Sequence, residues 1–150
     1  MTGTCEGRVA IVTGAGRGIG REHALELASD LAKRYSAELI VVHVVEILIP
    51  TFPIALTPEP EHVAAAAQLG LLSVVERVQA TVPGARSVLL RGSPAEQILS
   101  FVDENAVDLV VVGTHGRKGP SRWLLGSVAE KIVRSSRGAV LTVHDGQPAK

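Results

Sequence analysis

Short runs of uninterrupted apolar residues, rich in valine and isoleucine, alternate along the chain with longer stretches whose apolar positions recur at helical spacing. The runs Val9–Thr13, Leu39–Val45, Ser87–Leu90, Asp108–Val112 and Ala139–Val143 read as five strands. Each is apolar at consecutive positions rather than at every second one, the pattern of strands covered on both faces. Helical stretches fall at roughly 18–35, 59–82, 94–105 and 127–136. Ser93-Pro94-Ala95-Glu96 offers an N-cap, a proline at the first helical position and a capping-box glutamate. Ser127-Val128-Ala129-Glu130 repeats the capping-box pattern. Ile49 to Pro60 carries four prolines and reads as a loop.

Strands and helices in strict alternation call for parallel strands joined by right-handed crossovers. The expectation is one α/β domain over residues 1–150, a doubly wound, Rossmann-like five-stranded parallel sheet of order 3-2-1-4-5 with helices on both faces. No internal repeat, low-complexity tract or interdomain linker interrupts it.

Composition narrows the function. Fifteen Lys+Arg balance fifteen Asp+Glu, so the chain lacks the positive surplus of a general nucleic-acid or anionic-membrane binder. Tyr35, Phe52, Phe101 and Trp123 are its only aromatics, too few for a base-stacking platform. Cys5 is the only cysteine, which excludes an internal disulfide and a thiolate metal centre. His23, His62 and His144 show no metal-ligand spacing, and His43 reads as a core histidine of the second strand. The longest apolar stretch, Leu39–Pro50, is broken by His43 and Glu46 and is too short to span a bilayer. No basic patch followed by a long apolar core opens the chain, so a cytoplasmic protein without a secretory leader is expected.

Two glycine clusters carry the candidate chemistry. Thr13-Gly14-Ala15-Gly16-Arg17-Gly18-Ile19-Gly20 follows the first strand and opens the first helix. Glycines there let the backbone approach a pyrophosphate, and the helix start supplies N–H groups and partial positive charge. Residues 7–28 resemble the start of a short-chain dehydrogenase/reductase, and the resemblance implies that Thr13, Gly14, Gly18 and Gly20 hold NAD or NADP. It ends near Ala28. The Tyr-x-x-x-Lys pair of that family is missing, because Tyr35 is followed four residues later by Leu39, so no hydride transfer is expected. Glu46, beyond the second strand, stands near where a ribose-binding carboxylate would fall; a solvated strand-end carboxylate is the equal alternative.

The second cluster is Gly113-Thr114-His115-Gly116, nine residues, then Gly126-Ser127. Gly113 and Gly116 clear space after the fourth strand, and Gly126 and Ser127 open the last helix, where their N–H groups and the Ser127 hydroxyl can hold phosphate oxygens. Arg117 and Lys118 add positive charge beside them, with an ordinary solvated loop as the alternative. From Ser29 onward the chain resembles the universal stress proteins, and this glycine spacing is similar to that of their ATP-binding branch. The resemblance implies that Val112, Gly113, Gly116, Arg117, Gly126, Ser127 and Val128 line the phosphate and ribose side of ATP, with or without magnesium, and that Val44 touches the adenine. It also implies a homodimer paired through the last strand, Ala139–Val143.

In that family the first strand ends in an aspartate, which the dehydrogenase-like segment replaces here. Ala24, Leu27, Ala28, Leu31 and Ala32 keep one apolar face across a join near Ala28-Ser29-Asp30, so a recombined or engineered chain is the expectation. The leading function is adenine nucleotide binding with no catalytic or metal-binding residue; the alternatives are NAD(P) binding without turnover and a fold chimera with vestigial sites. The expected partners are a small-molecule nucleotide and a second copy of the chain, with no nucleic acid and no membrane.

Overall fold

A computed structural model describes residues 8–13, 19–46, 60–114 and 125–144. The elements in chain order are β1 (Arg8–Thr13), α1 (Ile19–Tyr35), β2 (Glu38–Val45), α2 (Pro60–Gln79), β3 (Arg86–Arg91), α3 (Pro94–Glu104), β4 (Val107–Gly113), α4 (Ser127–Ser135) and β5 (Ala139–Val143). All pairings are parallel, and the strands lie in the order β3-β2-β1-β4-β5. β1 sits at the centre, with Val12 level with Val42 on one side and Val112 on the other.

Successive strand residues point to opposite faces, and each face has its own apolar layer. Leu39, Val41 and Val111 pack with Leu25, Ala28, Leu71, Val74, Val75 and Val78 of α1 and α2. Ile40, Val42, Val44, Val110 and Val112 pack with Ile98, Phe101, Val102, Ala129 and Ile132 of α3 and α4. Both faces of β2 and of the second half of β4 are covered, which is why these strands read as unbroken apolar runs.

Helix α1 shows how sequence sets approach distance. Its buried stripe is Ala24, Leu25, Ala28 and Ala32, so small side chains let it lie close over the middle of the sheet. Leu27, expected on that face, is exposed, and Leu25 takes its place. The helix ends where Ser36 turns left-handed at φ 52. The Ala37 N–H then reaches the Ala32 carbonyl at 2.9 Å, and both alanines are buried, the pairing of a Schellman stop. Helix α2 stops at Gln79, although Val82 continues the apolar pattern. The N–H groups of Thr81 and Val82 both return to the Val78 carbonyl, and the Gln79 side chain donates to the Ala85 carbonyl at 2.8 Å, folding the chain into a turn ahead of β3.

The helices on the first face are also joined at their surface. The Arg77 guanidinium of α2 grips the Glu22 carboxylate of α1 with two bonds of 3.1 and 3.2 Å, and Arg21 adds a third at 3.1 Å. Arg77 thereby holds the Glu22 carboxyl below the usual carboxylate range, against the smaller opposing effect of burial. A carboxyl lowered on folding stabilises above its unfolded pKa and loses that contribution as pH falls through its folded value. Both partners are largely solvated, so the pair contributes under about 1 kcal/mol at neutral pH. Glu22→Gln should lower unfolding free energy by that amount at pH 7 and leave it unchanged at about pH 2, where both proteins carry an uncharged side chain. Urea titrations at the two pH values check this; an equal deficit at both would mean that charge is not the cause.

Two glycines predict opposite outcomes. Gly70 lies on the exposed side of α2 with nothing within 4 Å of an added Cβ, so Gly70→Ala should stabilise by about 0.5–1 kcal/mol. At Gly138, just before β5, an added Cβ would sit 2.9 Å from the Val107 carbonyl oxygen and 3.3 Å from that of Asp108. Backbone cannot swing aside as a side chain does, so Gly138→Ala should cost about 1–3 kcal/mol by overpacking. Chemical denaturation of the two variants reads both signs.

Candidate functional site

The centre of the sheet places β1 beside β4, and their chain connections depart in opposite directions, β1 toward β2 and β4 toward β5. Loops diverging from the C-terminal ends of two such neighbours leave a crevice between them. β1 ends at Thr13 and β4 at Gly113, with the Val12–Val112 pair keeping the two ends level. Gly113 also pairs with Val143, the last residue of β5.

Just beyond Gly113, one residue joins three elements. Thr114 is buried at 7% exposure. Its N–H donates to the Val143 carbonyl at 2.9 Å, and its own carbonyl accepts the Gly126 N–H at 2.8 Å. Its hydroxyl lies 2.9 Å from His144 Nδ1. The ends of β4 and β5 and the start of α4 are thus gathered at Thr114.

Helix α4 begins from this junction. Gly126 is its N-cap, with φ −60 and ψ 150, and the Gly126 carbonyl accepts the Glu130 N–H at 2.8 Å. Two sequence expectations change. Ser127 is the first helical residue and not the cap, so the Ser127–Glu130 capping box does not form; and the Gly126 N–H is occupied by Thr114 rather than offered to a ligand. The donors facing outward from the helix start are therefore the N–H groups of Ser127, Val128 and Ala129, which precede the first N–H able to reach a carbonyl within the helix. With the helix dipole behind them they favour an anion. Buried Ala129 and Ile132 root the helix on the sheet, and the Lys131 ammonium ties it to Glu96 of α3 at 2.9 Å. The same ammonium holds the Glu96 carboxyl below its ordinary range. Ser93 is the N-cap of α3 ahead of Pro94, but its hydroxyl makes no cap bond to the backbone.

The remaining sequence-predicted residues fall as follows. Gly113, Gly126, Ser127 and Val128 are brought to one place. Val112 on β4 and Val44 on β2 are 2% and 5% exposed, their side chains packed in the α3–α4 layer below the edge. β1 separates them. Gly20 lies in the first turn of α1, and Glu46 is exposed just past the end of β2. Gly14, Gly18, Gly116, Arg117 and Lys118 lie outside the described residues. Sequence reasoning gave no role to Thr114 or His144. The signal was available: both stand one residue past the ends of two strands that pair in parallel, so they must meet.

A parallel sheet wound in both directions, with a glycine-marked strand end near a helix N-terminus, defines a doubly wound α/β domain. A sequence profile of the universal stress protein family matches residues 10–144, and the chain belongs to that family. The universal stress protein YxiE of Bacillus subtilis is 33% identical over 131 residues, which cover 81% of this chain and 88% of that protein. The universal stress protein UspA of Lactobacillus plantarum shares the fold with a TM-score of 0.75 at 23% identity, over 90% of this chain and 97% of that one. A universal stress protein crystallised in complex with cAMP has a TM-score of 0.64 at 25% identity, over 93% and 98% of the two chains.

The expected chimera finds no support. The family match begins at residue 10, inside β1, and runs through the supposed join at Ala28–Asp30. Helix α1 is continuous there, with Ser29 buried and its hydroxyl donating to the Leu25 carbonyl at 2.6 Å. The glycines at 14, 16 and 18, on which the second resemblance rests, lie outside the described residues.

Proposed function

We propose that the chain binds an adenine nucleotide, ATP foremost, at the C-terminal edge of β1 and β4, and that it does so as a binding protein with no dedicated catalytic residue. The observation that carries this reading is the 2.8 Å bond from the Gly126 N–H to the Thr114 carbonyl. It joins the two halves of the Gly-x-x-Gly-(nine)-Gly-Ser spacing, which are separate in sequence. In this reading the N–H groups of Ser127 and Val128 and the Ser127 hydroxyl take phosphate oxygens. Gly113 and Gly116 keep the strand end open, Arg117 supplies counter-charge, and Val44 and Val112 form the buried floor beneath adenine and ribose. Gly20, in the first turn of α1, borders the crevice from the β1 side, and Gly14 and Gly18, which lie outside the described residues, are assigned to the same ligand. The cAMP complex of the related protein supports the ligand class. Two copies pair along β5, which is the outer strand beyond β4 among the described residues and whose outer side an identical strand can satisfy. Sedimentation at tens of micromolar should therefore show a dimer, and a monomer would remove this part of the reading.

Thermal unfolding with ATP, ADP, cAMP, NAD and NADP, each with and without magnesium, tests the ligand. A nucleotide at 100 times its dissociation constant adds about 2.7 kcal/mol, a shift of a few degrees for a domain of this size. ATP should give that shift. A shift with NAD or NADP alone would move the site to the Gly14–Gly20 turn, and no shift at all would end the nucleotide reading. Ser127→Ala separates binding from folding. Gly126 is the cap, so unfolding free energy should change by less than about 0.5 kcal/mol. ATP affinity should fall about tenfold or more, since a hydrogen bond to a charged group is lost.

A further inference from the structure

We infer that Thr114 and His144 form a clasp that positions the nucleotide site, making the end of β5 a working part of it; this rests on the nucleotide reading above. The N-cap of α4 hangs from the Thr114 carbonyl. Wherever Thr114 sits, Gly126 follows, and with it the first-turn N–H groups of α4. Two consecutive residues of the β5 end fix Thr114: the Val143 carbonyl takes its N–H at 2.9 Å, and the His144 ring meets its hydroxyl at 2.9 Å. The backbone bond holds Thr114 at its N–H, and the side-chain bond holds it at a second point, its hydroxyl. Either ring tautomer serves, because the threonine hydroxyl can donate to Nδ1 or accept from it.

The arrangement has a consequence for coupling. β5 is an edge strand, so anything that pairs with it, a second copy of the chain included, acts on the residues that hold Thr114. Displacement of Val143 or His144 reaches the helix start through two hydrogen bonds. Tight anion binding needs donors held in place beforehand, because a site ordered only on binding spends affinity on that ordering. Thr114 and His144 are therefore positioning residues.

Four substitutions in the full chain test this. Thr114→Val keeps the shape and deletes the hydroxyl, whereas Thr114→Ser keeps it. His144→Leu deletes the ring nitrogen, whereas His144→Asn places an amide near the Nδ1 position. Amide exchange at Gly126 reads the clasp without ligand, and calorimetric titration with ATP reads the site. The Val and Leu variants should exchange the Gly126 amide about tenfold faster and bind ATP about tenfold more weakly. The Ser and Asn variants should stay within about twofold of the parent. Equal effects of Leu and Asn, or of Val and Ser, would overturn the clasp, because then only bulk matters. Faster exchange without weaker ATP binding would overturn its link to the site. If the parent chain binds no adenine nucleotide, the nucleotide reading has failed, and unchanged Gly126 exchange in the Leu and Val variants would still overturn the clasp independently.

Discussion

A parallel strand can be reached only by carrying the chain back across the sheet, and this constraint organises the molecule. Each crossing needs a helix, each helix needs an apolar bed, and so both faces of every inner strand must be apolar. β2 and β4 meet that demand with Leu39, Ile40, Val41 and Val42 and with Val110, Val111 and Val112, all at 2% exposure or less. The same geometry sends every strand in one direction, so all strand-to-helix loops collect at one edge. Function is placed there by topology before any side chain is chosen.

Packing at the centre then decides how well that edge is held. α1 covers β1 and β4 with alanines at 24, 28 and 32, and the short side chains bring helix and sheet close. On the other face Ile98, Phe101, Val102 and Ile132 supply larger volumes, and Lys131 and Glu96 tie α4 to α3 at the surface. Helix α4 is thus rooted on the sheet by its buried residues Ala129 and Ile132. Solvated ion pairs add little energy here, but the Lys131 pair falls where a small rotation of α4 would redirect its N-terminus.

How much of this the sequence disclosed depends on the kind of signal. The strands were legible because consecutive apolar residues have no other stable use in a short run, and the helices because glycine, proline and turn residues bound them. The left-handed residues Ser36 and Ala106, at φ 52 and 48, carried no glycine to mark them. Nor could a helical wheel separate Leu25 from Leu27, which lie on opposite flanks of one alanine stripe; the sheet's position chose between them. At the site, glycine spacing disclosed which residues gather, since absence of a side chain is itself a local signal. What the Gly126 N–H binds was not legible, because its partner is a carbonyl, and every residue has one. The N-terminal glycine cluster pointed to a second family, and residues 14–18, on which that reading rests, lie outside the described residues.

The two helices of the second face begin in different ways. α3 follows Ser93 with Pro94 as its first residue, so proline deletes a donor that would otherwise need a partner. α4 starts differently. Its cap is glycine, which brings no side-chain oxygen to the first-turn N–H groups, and its first residue is serine, which keeps its own N–H and adds a hydroxyl. A glycine cap alone would leave the chain free to depart in many directions. The Thr114 carbonyl supplies a different constraint on the helix start, accepting the N–H of the cap residue Gly126 itself. Orientation and donation are thereby separated: the cap's own donor ties the helix start to Thr114, while the N–H groups from Ser127 to Ala129 precede the first one that bonds within the helix.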